Sequence, residues 1–215
     1  MIFSPYTLPN SAIILPTYAC PLYKEQTGFR LNTTEWNAVR KLSYRYEEKP
    51  ALRAQISKDP FLFKKKVFKR IKKFIEERAQ IYKQDVLELT SDTYLTQSWV
   101  AKSPAGAAHF KHAHPNTLFS MVYYAQCEDK DATLQFSGPL NCLSRGFNFT
   151  YNTGRFNFFN SDAYTLRVKT GTVLAFPGWL SHSANIQTSE KFIIGANFFI
   201  KGKLGAPDRV DYIEI

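Results

Sequence analysis

A chain of 215 residues, 44% hydrophobic and 15% aromatic, can bury a sizeable core, which excludes a disordered or low-complexity protein. Its net charge of +10 is compatible with an acidic partner or nucleic acid, but seven of the 28 basic residues fall in one stretch, "KKKVFKRIKKF" at 64–74. No apolar run is long enough to span a bilayer, "MIFSPYTLPNS" lacks the features of a signal peptide, and Cys20, Cys127 and Cys142 are too few and too scattered for a disulfide framework, so a cytoplasmic protein with free thiols and no membrane partner is expected.

Helical periodicity dominates the first part of the chain. In "TTEWNAVRKLSYRYEE" the threonines can cap a helix with Glu35 in its first turn, and Trp36, Val39, Leu42 and Tyr46 fall on one face. A second helix is expected from Asp59 as N-cap and Pro60 at the first position to about Tyr82. Phe63, Val67, Arg70, Ile71, Phe74 and Arg78 mark one side of it, widened by Phe68 and Ile75. The lysines between them fall mostly on the rest of the surface. A solvated outer face explains them more simply than a nucleic-acid groove.

After about residue 85 the pattern changes to short strands. "TYLTQSWVAK", "TLFSMVYYA", "ATLQFS", "FNFTYN", "AYTLRVK", "TVLAFP" and "KFIIGANFFI" are rich in β-branched and aromatic residues. Turn sequences such as "SPAG", "SGPLN", "NTG" and "KTG" separate them. The expected fold is mainly β: a jelly roll, or double-stranded β-helix, with supporting helices. A helical support over 1–84 would pack on a β core over 85–215. The tail "KGKLGAPDRVDYIEI" reads as a surface strand or loop.

Three of the four histidines lie in "HFKHAHP", 109–115. His112 and His114, two apart, face one side of an extended chain, while His109 points the other way in a continuous strand and becomes a neighbour. Gly106 and Pro115 argue against a helix here. His182 follows an apolar strand and a Pro-Gly turn in "TVLAFPGWLSH", which delivers it at a strand end. A pair from one strand and a third ligand from another is how a facial triad is assembled, and such a site with open positions suits an oxygen-activating Fe(II).

The text "SWVAKSPAGAAHFKHAHPNTLFSMVYYAQ", then "LQF", then "VKTGTVLAFPGWLSHSANIQTSEKFIIGANFF" resembles the 2-oxoglutarate- and Fe(II)-dependent dioxygenases. The likeness covers about residues 94–200 and is closest to prolyl-hydroxylase-like oxygenases of phages and bacteria. It implies Fe(II) held by His112, His114 and His182, with His114 standing where the family usually has a carboxylate. Three neutral imidazoles leave the ion's charge uncompensated, although dianionic 2-oxoglutarate would offset part of it, and zinc or nickel also suits the donor set. The resemblance further implies that Lys191, nine residues after His182, and Tyr124 hold the distal carboxylate of the co-substrate. Asn197 shares a strand face with Lys191 and would face the same pocket. Trp99 and Trp179 flank the motif as pocket walls or packing residues.

The implied activity is hydroxylation coupled to decarboxylation of 2-oxoglutarate to succinate. A prolyl or other protein residue is suggested as substrate only by analogy, and nucleic acid is not favoured. The stretch 138–162, carrying Arg145 and Arg155, is a candidate substrate lip. Two other readings stand beside this one: a cupin-like three-histidine dioxygenase that does not use 2-oxoglutarate, and a non-catalytic phage binding or structural protein. For a phage protein the compartment would be the host cytoplasm.

Overall fold

The computed structural model describes residues 6–7, 13–14, 20–46, 54–128, 130, 132–137, 154, 161, 163–210 and 212–215. Its strands are β1 (Tyr6–Thr7), β2 (Ile13–Ile14), β3 (Tyr23–Gln26), β4 (Tyr44–Tyr46), β5 (Gln55–Ser57), β6 (Thr93–Ser103), β7 (His109–His112) and β8 (Phe119–Gln126). They continue with β9 (Thr133–Ser137), β10 (Ala163–Arg167), β11 (Thr172–Pro177), β12 (His182–Ala184), β13 (Lys191–Ile200), β14 (Lys203–Leu204) and β15 (Ile213–Glu214). The α-helices are α1 (Thr33–Arg40) and α2 (Lys69–Ile81). The expected strand "FNFTYN" and the lip residues Arg145 and Arg155 lie outside the described residues.

Both helices start later or end sooner than their periodicity suggests, for identifiable reasons. Asn32, not a threonine, caps α1: its side chain accepts from the Glu35 amide at 2.9 Å, and Glu35 accepts in return from the Asn32 amide at 2.8 Å. The helix stops at Arg40, so Tyr46 belongs to a strand. Asp59 caps only a turn, accepting from the Phe61 amide at 2.8 Å. Ser98 of β6 then takes the backbone partners that a helix would need. Its hydroxyl accepts from the Phe63 amide, and its amide donates to the Pro60 carbonyl. The chain therefore crosses two 3-10 turns, Leu62–Lys64 and Lys66–Phe68, before α2 begins.

The core of the fold is a pair of antiparallel sheets, one of seven strands in the order β3-β11-β8-β13-β6-β5-β4 and one of four in the order β10-β9-β12-β7. This is the jelly roll expected from the strand-rich part. The segment read as helical also supplies three strands, β3 at one edge of the large sheet and β5 and β4 at the other.

Alternation along β13 separates two cores. Phe192, Ile194, Ala196 and Phe198 join the buried cluster that α1 and α2 pack against, together with Ile71, Phe74 and Ile75. Ile193 joins the cluster between the sheets, with Val122, Tyr124, Leu174 and Phe176. An ion pair between the buried Glu35 and the exposed Arg70 ties α1 to α2. The site lies between the sheets, where β7 and β12 face the inner side of β6, β13 and β8.

Candidate metal centre

β7 and β12 are neighbours, and His182 stands directly opposite His112. His114 lies two residues beyond β7, and its amide donates to the Gly178 carbonyl at 2.8 Å. The fold thus brings the three expected ligands together. One ligand atom from each of His112, His114 and His182 lies within 4.8 Å of the others.

Each ring is held through its Nδ1. His112 Nδ1 is 2.8 Å from the Phe110 carbonyl oxygen, and His182 Nδ1 is 3.0 Å from that of Leu180. Carbonyl oxygens only accept, so both Nδ1 atoms carry the proton and both Nε2 lone pairs are left for a metal. His114 Nδ1 meets Asn197 Oδ1 and Ser120 Oγ, each at 2.8 Å, and the Ser120 hydroxyl also donates to Asn197 Oδ1 at 2.8 Å. The same tautomer follows.

Burial keeps His182 and His114 uncharged. It pushes His182 down to about 3, with the adjacent His112 adding to the effect. It pushes His114 down to about 4, although the Asn197 hydrogen bond pulls in the opposite direction. At these two positions a cation entering at neutral pH would meet neutral imidazoles and displace no proton from them.

His109 does not point away from the site. Opposite His182 and Ala184 the other strand runs from His112 to His109, and the extra residue is a bulge. The His109 ring consequently stacks on His112, with centroids 4.5 Å apart and planes at 17°, and lines the same cavity. Strand alternation alone could not anticipate the bulge. Burial holds His109 well below the ordinary histidine value, and the other imidazoles and Lys191 add to this.

Lys191 is buried, 2% exposed, at the start of β13. Tyr124 lies on the inner face of β8, opposite Ile193, and its buried hydroxyl has no hydrogen-bond partner among the described residues. Burial pushes that phenol far up, beyond the range in which it could ionise. Tyr123 faces the other way and donates to the Phe29 carbonyl at 2.8 Å. Asn197 lines the cavity as its strand face implied, with its carbonyl oxygen committed to His114. Ser120 is a site residue that the sequence reading missed. The available signal was its spacing of four from Tyr124, which places both on one strand face.

The cavity has a volume of about 830 Å³, which suits a small-molecule site. Trp99 lines it beside His114, with ring centroids 5.4 Å apart, whereas Trp179 is exposed.

A jelly roll carrying three imidazoles on adjacent inner segments, each fixed through Nδ1, has the donor set to hold one metal ion. Residues 97–198, just under half of the chain, match the model of the family described as "Putative 2OG-Fe(II) oxygenase". HygX from Streptomyces hygroscopicus, solved with nickel and 2-oxoglutarate, has a similar fold at 14% identity and a TM-score of 0.57, over 83% of this chain and 82% of that one. A Pseudomonas putida prolyl-4-hydroxylase is similar at 13% identity and a TM-score of 0.54, over 85% and 94% of the two chains. The viral collagen prolyl hydroxylase of Paramecium Bursaria Chlorella virus-1, in complex with 2OG, shares 13% identity at a TM-score of 0.51, over 82% and 94%. No curated protein sequence matches the chain.

Proposed function

We propose that this protein is a 2-oxoglutarate-dependent Fe(II) hydroxylase in which His112, His114 and His182 hold the metal and Lys191 and Tyr124 receive the distal carboxylate of the co-substrate. The observation that carries the reading is the convergence of three imidazoles whose Nδ1 atoms are all engaged, leaving three Nε2 donors for one ion. The inner face also fits a dianion. A buried ammonium at Lys191 supplies charge, and the partnerless Tyr124 hydroxyl supplies a donor diagonally across the β13–β8 pair. When bound, the metal and co-substrate supply the oxidising power for C–H hydroxylation. The chain contributes imidazole ligands held in one orientation, a cation and a hydroxyl for the carboxylate, and an apolar lining from Val122, Leu134 and Ile193.

In this reading residues 1–84 support the core of residues 85–215, since α1 and α2 cover the outer face of the large sheet. No helix among the described residues is long and apolar enough to cross a membrane. The free thiol of Cys20 suits a cytoplasmic setting, which would be that of the host for a phage protein.

Anaerobic addition of Fe(II) and 2-oxoglutarate tests the reading through the visible charge-transfer band of the chelate. A band in the wild type that is lost in His112→Ala and Lys191→Ala supports it. Metal bound through the histidines with no band would favour the three-histidine oxygenase that dispenses with 2-oxoglutarate, a reading suggested by the lack of a carboxylate ligand. Failure to bind metal would refute both.

A further inference from the structure

The cavity does not end at the histidines. It runs outward past Trp99 to Tyr94, Phe61 and Arg45, and among the described residues no Asp or Glu side chain lines it. Trp99 lies directly on the backbone of Gly195, where an added Cβ would come within 2.5 Å of the indole. The ring is a platform between the sheet and the space beside His114. Phe61 and Tyr94 are exposed at the mouth, at 39% and 40%.

The positive charge is arranged around this mouth. On α2, Lys72 and Lys73 face Glu76 and Glu77 at 3.6 and 4.0 Å, so that part of the basic stretch is compensated within the helix. Near the cavity most of the charge is uncompensated. Lys64 Nζ lies 4.3 Å from the centre of the Phe61 ring, and Arg45 lines the cavity itself. The segment after β5 joins two depressions: Ser57, Pro60 and Phe61 line the cavity, while Lys58 and Asp59 line its neighbour with Lys41 and Lys65. Asp59 neutralises Lys65 at 2.6 Å. Arg45, Lys41, Lys58 and Lys64 form no ion pair among the described residues.

We propose that the primary substrate is a single strand of nucleic acid, an inference that rests on the oxygenase reading of the site. One base enters over Trp99 toward the metal site, flanking bases stack on Phe61 and Tyr94, and phosphates follow Arg45, Lys64 and the lysine-lined depression. Exposed aromatic faces accept any base, and lysines and arginines track the backbone. An acidic peptide would answer the cations without using three aromatic faces. A neutral prolyl segment would use the aromatics and leave the cations unanswered.

The test is fluorescence anisotropy of labelled single-stranded DNA and RNA, about 12 nucleotides long, on the full chain loaded with Ni(II) and 2-oxoglutarate. Poly-glutamate serves as competitor. Binding should weaken steeply with salt. Lys58→Glu combined with Lys64→Glu should weaken it about tenfold or more and lower the salt slope by about 2. Phe61→Ala should weaken it with the slope unchanged. Binding of either polymer supports the proposal, and the tighter one identifies the sugar. Absence of binding, equal displacement by poly-glutamate, or indifference to the charge reversals would overturn it. The Fe(II)–2-oxoglutarate band, recorded on the same proteins, separates the two readings. A normal band without strand binding refutes the substrate alone. Strand binding without a band refutes the oxygenase reading, and with it an oxidised nucleic-acid substrate.

Discussion

Replacing Asn197 with Ala should weaken metal binding even though Asn197 is not itself a ligand. Its Oδ1 sits 2.8 Å from both His114 Nδ1 and Ser120 Oγ, deep between the sheets. Removing it takes away the acceptor that fixes the tautomer and orientation of His114. The Ser120 hydroxyl remains 2.8 Å from Nδ1 and can turn to accept, so the buried N–H is not stranded and the fold should lose only about 1 kcal/mol. The metal should lose more, because a ligand free to rotate must be re-ordered on binding. Loss of such an orienting partner costs about 10- to 100-fold in affinity, or about 1.4–2.7 kcal/mol. Titration calorimetry of Ni(II) into apo-protein at pH 7.5 reads this directly. Asn197→Asp, whose carboxylate still accepts from Nδ1, should restore the affinity. If Asn197→Ala bound Ni(II) like the wild type and lost only 2-oxoglutarate affinity, Asn197 would be a co-substrate contact and the orienting role would be wrong.

Three further outcomes are expected. Lys191→Met and Tyr124→Phe should each weaken 2-oxoglutarate binding by about tenfold or more while leaving Ni(II) affinity within about twofold, a split that calorimetry resolves. Gly195→Ala drives a methyl to within 2.5 Å of the Trp99 ring; the indole must move into the cavity, costing about 1–3 kcal/mol in thermal or urea unfolding and shifting the tryptophan emission. The apo-protein should lose stability in acid from the site alone. His114 has a folded value of about 4 against 6.5 unfolded, so the unfolded chain takes the proton first. The His114 contribution is then complete above about pH 6.5, falls between 6.5 and 4 by about 3 kcal/mol and is constant below, while His182, with a folded value of about 3, goes on losing stability further into acid. A His114→Gln variant with the same acid profile would refute that assignment.

The parts of this molecule legible in its sequence are those governed by local period. The hydrophobic alternation of β13 and the run of β8 needed no tertiary information. The i, i+2 spacing of His112 and His114 and the strand-end position of His182 were enough to single out the triad. What was illegible depends on distant partners. Ser98 captures the backbone of Pro60 and Phe63 and removes the first turns of the expected second helix. The short strands β3, β4 and β5 have three or four residues' worth of pattern and form because an existing sheet offers an edge. The bulge in β7 that rotates His109 into the cavity leaves no glycine or proline in "HFKH" to signal it.

The imidazole of His114 in place of a carboxylate has consequences beyond the ligand itself. A carboxylate would bring its own negative charge; an imidazole brings none and adds an N–H that must be satisfied. Asn197 and Ser120 meet the second requirement from two neighbouring strands, β13 and β8, which stand in register at that pair. The first is left to whatever enters with the metal. Four imidazoles and the buried Lys191 ammonium, among the described residues, give the inner face no negative charge to hold a divalent ion. A dianionic co-substrate offsets the ion and the ammonium together. Metal and 2-oxoglutarate should therefore bind with positive coupling, each tightening the other by the same factor. In the proposed reading the co-substrate supplies the negative charge that position 114 lacks, so the centre should hold its metal more tightly when 2-oxoglutarate is bound.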